Sequence, residues 1–137
     1  MCKTKVKVAG LLETCEKEIS MAMKMASGMK SASDFSNGLE GFTLLRAASM
    51  SIQFTTENIK QIDTLTGGKL LSRYPQIDWK VVKGIRDILS HAYGQVDERV
   101  IFDTIRNDFP LLGEKCSEIL SDVNAGKHDD MFKSMEK

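Results

Sequence analysis

Apolar residues recur every three or four positions along the first thirty residues of the chain. This spacing matches the 3.6-residue period of an α-helix and predicts a helix from about Val6 to Lys30. The stripe consists of Val8, Leu11, Leu12, Cys15, Ile19, Ala22, Ala26 and Met29, widened by Met21, Met23 and Met25. Methionine fills irregular gaps, so we expect these three in core or dimer surface. Because the 137 residues include only two prolines, long helices can run uninterrupted.

A second helix is predicted after a connection over Ser31–Asn37, which is rich in helix-capping residues. Its apolar positions are Phe42, Leu45, Ala48, Ile52, Ile59 and Ile62, and it ends near Leu65. Gly67-Gly68 follows, and glycine accepts the left-handed conformation that terminates helices. Ser49, Ser51, Gln53, Thr55 and Thr56 lie in its interior. We interpret them as a solvated face with some small residues at a helix crossing.

Three further helices are predicted from capping residues and periodicity. Asp78 N-caps a third helix, from Trp79 to about Tyr93, and Asp97 caps a fourth. Pro110 suits the first position of a fifth. Their predicted inward residues are Val81, Ile85, Ile88, Leu89 and Ala92, then Val100, Ile101, Thr104 and Ile105, then Leu112, Cys116, Ile119, Leu120 and Val123. The prediction is an all-α fold, an antiparallel four- to five-helix bundle over residues 1–123, with a polar tail over residues 124–137 that frays.

Charge and composition restrict the function classes. Lysine plus arginine equals aspartate plus glutamate, 19 against 19, so a basic nucleic-acid-binding coat is absent and any RNA contact must be local. Cys2, Cys15 and Cys116 match no zinc or disulfide spacing and are expected to be reduced thiols. No apolar run approaches the ~20 residues of a membrane span. We therefore expect a cytoplasmic protein without a metal or other cofactor.

One face of the third predicted helix is polar without being a generic solubility surface. It carries Tyr93, Arg86, Ser90, Asp87, His91 and Gly84 in angular order, with Lys80 and Lys83 one turn earlier. Arg86 and His91 are five residues apart, which separates them by about 140° on an ideal helix. They can act on one group if the helix unwinds near Gly94, or if a second copy contributes its own pair across a two-fold axis. We favour the symmetric dimer.

A groove formed where two such polar faces meet would suit RNA cleavage. The ribose 2′-hydroxyl is an internal nucleophile, and a histidine can serve as its base or as the acid for the leaving oxygen. An arginine can hold the phosphate and stabilise the charge that develops on it. Arg86 and His91 are therefore the candidate catalytic residues. Lys83, Ser90 and Tyr93 are candidates for substrate binding.

The segment Arg86-Asp87-Ile88-Leu89-Ser90-His91-Ala92-Tyr93 resembles the Arg-x4-His-x-Tyr motif of the HEPN superfamily. More narrowly, it is similar to the HepT-like toxins encoded beside a minimal nucleotidyltransferase antitoxin. The flanking residues agree: Tyr74-Pro75, Asp78-Trp79, Gly84-Ile85, Val96-Asp97 and Asn107-Asp108-Phe109-Pro110-Leu111-Leu112. The close resemblance covers roughly residues 73–120, and the first seventy residues agree mainly in helix order.

The resemblance implies a HEPN bundle, a homodimer with the motif at its interface and metal-independent cleavage of tRNA or mRNA. It also implies the nucleotidyltransferase antitoxin as a partner and Tyr93 as the motif tyrosine, which some such partners modify with AMP. Asp87 departs from the family pattern, where Asn or another polar residue is more frequent, and a carboxylate beside a phosphate site lowers affinity.

Two other function classes stay open. A non-catalytic subunit would use the same polar face to bind a nucleotide or a partner phosphate while a neighbouring nucleotidyltransferase did the chemistry. An isolated structural bundle would have no site, and alanine at Arg86, His91 and Tyr93 would change neither binding nor growth.

Overall fold

The fold is all-α, as predicted. The computed structural model describes the backbone of residues 2–91 and 95–135 and the side chains of residues 2–85 and 97–135. Its helices are α1 (Lys3–Ala26), α2 (Gly38–Leu65), α3 (Trp79–Leu89), α4 (Glu98–Asp103), α5 (Phe109–Asn124) and α6 (Asp129–Ser134). A two-residue strand β1 (Ser90–His91) pairs antiparallel with β2 (Gln95–Val96).

Helix α1 is the centre of the bundle and packs against both α2 and α5. Its predicted stripe is confirmed at the buried Val8, Leu12, Cys15, Ile19, Ala22 and Ala26, and Met29, also buried, follows the end of the helix. On one side the Cys15 thiol reaches the Thr55 carbonyl of α2, with Sγ and O 3.8 Å apart. On the other, Gly113 of α5 lies so close to Ile19 that a Cβ would stand 3.0 Å from its side chain. The three cysteines are free.

Helix α2 differs from its prediction in which face is solvated. Ser49, Ser51, Thr55 and Thr56 are buried, so the solvated-face interpretation is wrong for them and the helix-crossing one holds. Small hydroxyl side chains allow helices to approach each other closely. The Thr56 hydroxyl donates to the Gln53 carbonyl of its own helix at 3.1 Å. Phe42, predicted to be apolar core, is 45% exposed.

The predicted end of α2 is confirmed. Gly67 and Gly68 have φ of 58° and 76°, the left-handed region that L-residues avoid. The Gly68 N–H returns to the Asp63 carbonyl at 2.9 Å and closes the last turn.

The fourth and fifth predicted helices form one continuous helical stretch. Asp97 caps α4 as predicted, because its Oδ1 accepts from the N–H groups of Arg99 and Val100. A π-helical segment, Thr104–Asp108, then joins α4 to α5. The Phe109 N–H donates to the Thr104 carbonyl, a five-residue step. Pro110 follows in the first turn of α5, as predicted.

The prediction that the tail frays is wrong, whereas the domain boundary at residue 123 stays a prediction. Residues 129–134 form α6, whose Met131 and Phe132 are buried. His128 is also buried, and its Nε2 lies 2.7 Å from the Tyr74 hydroxyl. Lys5 of α1 forms an ion pair with Asp129, in which Nζ and Oδ1 are 2.7 Å apart. The tail is polar overall, but its two apolar side chains pack against the bundle.

Candidate active site

The start of α3 is fixed at two points. The Asp78 carboxylate accepts the Val81 N–H at 3.3 Å, which confirms the predicted N-cap. The Trp79 indole N–H donates to the Tyr74 carbonyl at 2.9 Å and ties the helix to the loop before it. Two hydrogen bonds therefore hold the start of the helix that leads into the predicted motif.

The inward face of α3 is rotated relative to the prediction. Val82 and Ile85 are buried, whereas Val81 is 58% exposed, so the placement of Val81 in the core is wrong. Neighbouring valines differ by about 100° around a helix, and packing against α2 decides which one faces inward. Ile85 is confirmed. The side chains of Ile88 and Leu89, and all of Ala92, lie outside the described residues.

Helix α3 ends at Leu89, so the prediction that it runs to about Tyr93 is wrong. The backbone of Ser90 and His91 leaves the helix and pairs with Val96 and Gln95, in the register Ser90–Val96 and His91–Gln95. Serine and histidine are mediocre helix formers. The 140° separation expected for Arg86 and His91 on an ideal helix therefore does not apply. The backbone unwinds between them, several residues before Gly94.

The predicted site residues divide into those with and without a described side chain. The side chains of Arg86, Ser90 and His91, and the whole of Tyr93, lie outside the described part of the chain. Lys83 is described, and its Nζ is 2.6 Å from Oδ2 of Asp63 on α2. This ion pair ties α3 to α2 one turn before Arg86. The assigned roles of all five residues stay predictions.

A groove of about 590 Å³ lies beside the chain segment that follows β2. It is lined by the Lys30–Ser33 connection and by Asp97, Glu98, Arg99, Phe102 and Asp103. The Ser36 hydroxyl donates to Glu98, one of the lining residues, at 2.8 Å. The cations of the groove can bind a phosphate, but its three carboxylates would repel a ligand with several negative charges. Within residues 2–85 and 97–135, no group of three His, Cys, Asp or Glu side chains is placed to hold a metal ion.

Comparison with known families identifies the chain. The family model "Ribonuclease HepT-like" matches residues 15–119, which contain the whole motif segment. The chain belongs to the HepT-like ribonuclease family. The predicted resemblance to this family is thus confirmed.

Three curated relatives agree with the assignment. A candidate RNase of Caldanaerobacter subterraneus subsp. tengcongensis is 31% identical over 77 residues, which are 56% of this chain and 65% of the relative. A candidate RNase of Methanocaldococcus jannaschii is 27% identical over 101 residues, 69% of this chain and 80% of the relative. A candidate ribonuclease HepT of Thermococcus cleftensis is 39% identical over 46 residues, 34% and 42% of the two chains.

The matched region therefore spans less than two thirds of two of these relatives. No solved structure gives a significant match. Among the helices of the described residues, none combines the length and the apolar character that crossing a membrane requires.

Proposed function

We propose that this HepT-like protein is a metal-independent endoribonuclease and the toxin of a cytoplasmic toxin–antitoxin pair. The observation that carries the proposal is the family match over residues 15–119, which encloses the segment from Arg86 to Tyr93. The unwinding of the backbone after Leu89 adds support, because it removes the fixed helical separation of the two catalytic candidates.

In the proposed reaction, the ribose 2′-hydroxyl attacks the adjacent phosphorus. One histidine takes the hydroxyl proton, the bond from phosphorus to the 5′-oxygen breaks, and a second acid protonates that oxygen. The products are a 2′,3′-cyclic phosphate and a 5′-hydroxyl end. Arg86 would bind the phosphate and stabilise its added charge. Lys83, Ser90 and Tyr93 would contact the RNA.

A symmetric dimer would supply both histidines, one as base and the partner's His91 as acid. The same proposal makes a minimal nucleotidyltransferase the antitoxin. Attachment of AMP to Tyr93 would silence the toxin by placing bulk and negative charge beside the phosphate site.

The alternative is a non-catalytic subunit that binds a nucleotide or a partner phosphate. Zero formal net charge and the carboxylate of Asp87 favour it, because both weaken attraction for a polyanion. This subunit would bind tightly to its partner or a nucleotide and would leave RNA intact.

The deciding experiment is incubation of total cellular RNA with purified protein in EDTA. Wild type is compared with Arg86→Ala, His91→Ala and the surface control Lys24→Ala, after circular dichroism has shown that all are folded. We expect cleavage by wild type and Lys24→Ala, with 2′,3′-cyclic phosphate ends, and loss of cleavage in the other two. Cleavage that survives in His91→Ala would overturn the assigned mechanism. Intact RNA with an unmodified dimer would favour the binding subunit, so mass spectrometry of Tyr93 accompanies the assay.

A further inference from the structure

The groove between the connection at residues 30–33 and helix α4 has the size of a small-ligand site. Its volume is about 590 Å³, and such sites typically measure roughly 300–1,000 Å³. The wall on the α4 side consists of Asp97, Glu98, Arg99, Phe102 and Asp103. We name this cavity the α4 groove. It combines charged side chains with an aromatic ring, so it suits a ligand that has a flat face and polar edges.

The α4 groove adjoins the segment that carries the predicted motif. The backbone of His91 pairs with that of Gln95, and Asp97 of the groove follows two residues later. Paired strand residues lie about 5 Å apart, and two extended residues span at most about 7 Å. The wall of the groove therefore begins within about 12 Å of the backbone of His91. An RNA strand that is cleaved at His91 can place a neighbouring nucleotide against this wall.

Arg99 and Asp103 are the charged pair of the groove that can bind a ligand. Asp97 is engaged as the N-cap of α4, and Glu98 accepts the Ser36 hydroxyl at 2.8 Å. Within residues 2–85 and 97–135, no hydrogen bond or ion pair engages the Asp103 carboxylate or the Arg99 guanidinium. Both side chains are exposed. Because they are four residues apart on a helix, they are neighbours on one face of α4.

The charges of the groove favour a nucleobase over a phosphate. Its two cations, Lys30 and Arg99, stand against three carboxylates, which leaves the lining with one negative charge. A carboxylate only accepts hydrogen bonds, so it repels a phosphate but pairs with the N–H donors of a base. The chain as a whole has no net charge. Its affinity for RNA therefore depends on specific contacts more than on attraction of the phosphate backbone.

Among the RNA bases, guanine matches Arg99 and Asp103 on two edges. Its Watson–Crick edge has two adjacent donors, N1–H and the N2 amino group, which one carboxylate can accept together. Its O6 and N7 atoms are acceptors, and arginine binds them as a pair. Adenine and cytosine each offer the carboxylate a single amino group, and uracil has none.

Phe102 supplies the flat surface on which a base can stack. Its side chain is half-buried, and the Arg106 guanidinium lies 5.1 Å from the centre of the ring. Arg106 also donates to the Met29 carbonyl, so the ring lies beside an arginine that is itself anchored. Proteins that recognise single-stranded RNA commonly stack its unpaired bases on aromatic side chains.

We propose that the α4 groove binds an unpaired guanine of the RNA substrate, beside the phosphate that is cleaved. Asp103 accepts from the Watson–Crick edge, Arg99 donates to O6 and N7, and Phe102 stacks on the ring. The inference rests on the proposed function for RNA as the ligand, and it adds the base that determines where the strand is cut.

Binding of fluorescent single-stranded oligouridine that carries one guanosine tests the groove. The His91→Ala protein is used so that the RNA stays intact, and a matched probe carries inosine, which lacks the 2-amino group, at the same position. We expect the guanosine probe to bind about tenfold more tightly than the inosine probe. Asp103→Asn should remove most of this difference, provided that circular dichroism shows the variant to be folded. The control Glu114→Gln, an exposed carboxylate on α5 outside the α4 groove, should retain it. Equal affinities for the two probes would overturn the proposal.

A further probe tests the role of Arg99. 7-Deazaguanosine replaces the N7 acceptor by a C–H group and keeps the Watson–Crick edge. We expect this probe to bind about threefold more weakly than guanosine, and the two to bind equally to Arg99→Met. Discrimination that survives in Arg99→Met would overturn the assignment of this arginine.

The groove and the nuclease can fail separately. Wild-type cleavage that is equally efficient beside guanosine, inosine and uridine would overturn the groove as a base site and leave the nuclease standing. A guanosine preference in binding that Asp103→Asn abolishes supports the groove even where RNA stays intact in EDTA, a result that counts against the nuclease alone. Absence of binding to every probe would overturn this inference together with the RNA contact on which it rests.

Discussion

Arg73 and His128 meet through one hydrogen bond, with Nη1 of the guanidinium 2.7 Å from Nδ1 of the imidazole ring. A guanidinium only donates, so Nδ1 must be the acceptor and the ring proton is on Nε2. Nε2 then donates to the Tyr74 hydroxyl, 2.7 Å away, and that hydroxyl donates to Asp122 at 2.7 Å. The three hydrogen bonds therefore run in one direction, and together they hold the C-terminal segment against the bundle only while His128 is neutral.

The first prediction concerns acid. Burial, and then the positive charge of Arg73, lower the pKa of His128 from its usual 6.5, although the carboxylates of Asp122 and Asp130 partly oppose this. The unfolded chain therefore binds a proton more readily than the folded chain. The free energy of unfolding is at its full value above about pH 6.5 and falls as the pH is lowered through the pKa of folded His128.

Urea unfolding between pH 8 and pH 5 measures this effect, and NMR of the His128 ring gives its pKa directly. His128→Gln should flatten the slope in this range. The same slope in His128→Gln as in wild type would show that another group is responsible.

The second prediction concerns the Tyr74 hydroxyl. Tyr74→Phe removes the acceptor of a buried imidazole N–H and one of the two donors to the Asp122 carboxylate, so we expect a loss of about 1–2 kcal/mol in the free energy of unfolding. The hydrogen bond from Tyr74, and then that from Lys127, lower the pKa of Asp122. The variant should therefore also raise the pKa of Asp122, which NMR of its side-chain carboxyl can follow. An unchanged pKa would mean that the hydroxyl does not stabilise the carboxylate.

The third prediction compares two helical glycines. A Cβ on Gly41 would stand 2.4 Å from the Asp34 carbonyl oxygen, a backbone atom that cannot move aside easily, whereas one on Gly10 would meet nothing within 4 Å. Gly41→Ala should destabilise the protein by about 1–3 kcal/mol. Gly10→Ala should stabilise it by about 0.5–1 kcal/mol, because alanine has the higher helix propensity. Thermal melts of the two variants should shift in opposite directions, and parallel shifts would contradict the close approach at Gly41.

The fourth prediction concerns Lys83. If it contacts a phosphate, Lys83→Met should weaken RNA binding and reduce the slope of log affinity against log salt by about 1. Lys24→Met, on α1, is the control and should leave the slope unchanged. Binding is measured with the His91→Ala protein so that the RNA stays intact. A slope unaffected by Lys83→Met would assign the lysine solely to its ion pair with Asp63.

Much of the framework could be predicted because its signals are local. The stripe of α1, the N-caps Asp78 and Asp97, and the glycines that end α2 each follow from a few neighbouring residues. The rotation of α3 could not be predicted in this way, since the choice between Val81 and Val82 depends on the surface of α2. Residues 129–134 were missed for the same reason, because their two apolar side chains are buried only against distant parts of the bundle.

The family could be predicted from the motif, whereas the backbone path through the motif could not. The spacing of Arg86, His91 and Tyr93 indicated the family, which the match over residues 15–119 confirms. The exit of the backbone from α3 at Leu89 left no clear signal, because Ser90 and His91 are tolerated in helices as well as outside them. The ion pair between Lys83 and Asp63 joins residues far apart in sequence, and periodicity carries no information about such pairs.

The π-helical segment Thr104–Asp108 keeps the buried faces of α4 and α5 aligned along the helical stretch from residue 98 to 124. Ile101, Ile105 and Phe109 are buried at successive steps of four, and each such step turns the apolar face of a regular α-helix by about 40°. The wider π turn absorbs that rotation. Deleting a single residue there would restore regular hydrogen bonding and leave the buried faces of α4 and α5 nearly aligned, because seven residues of a regular helix make about two full turns. A deletion in this segment should therefore be tolerated better than one in the middle of α5, where the residues that follow would be turned by about 100°.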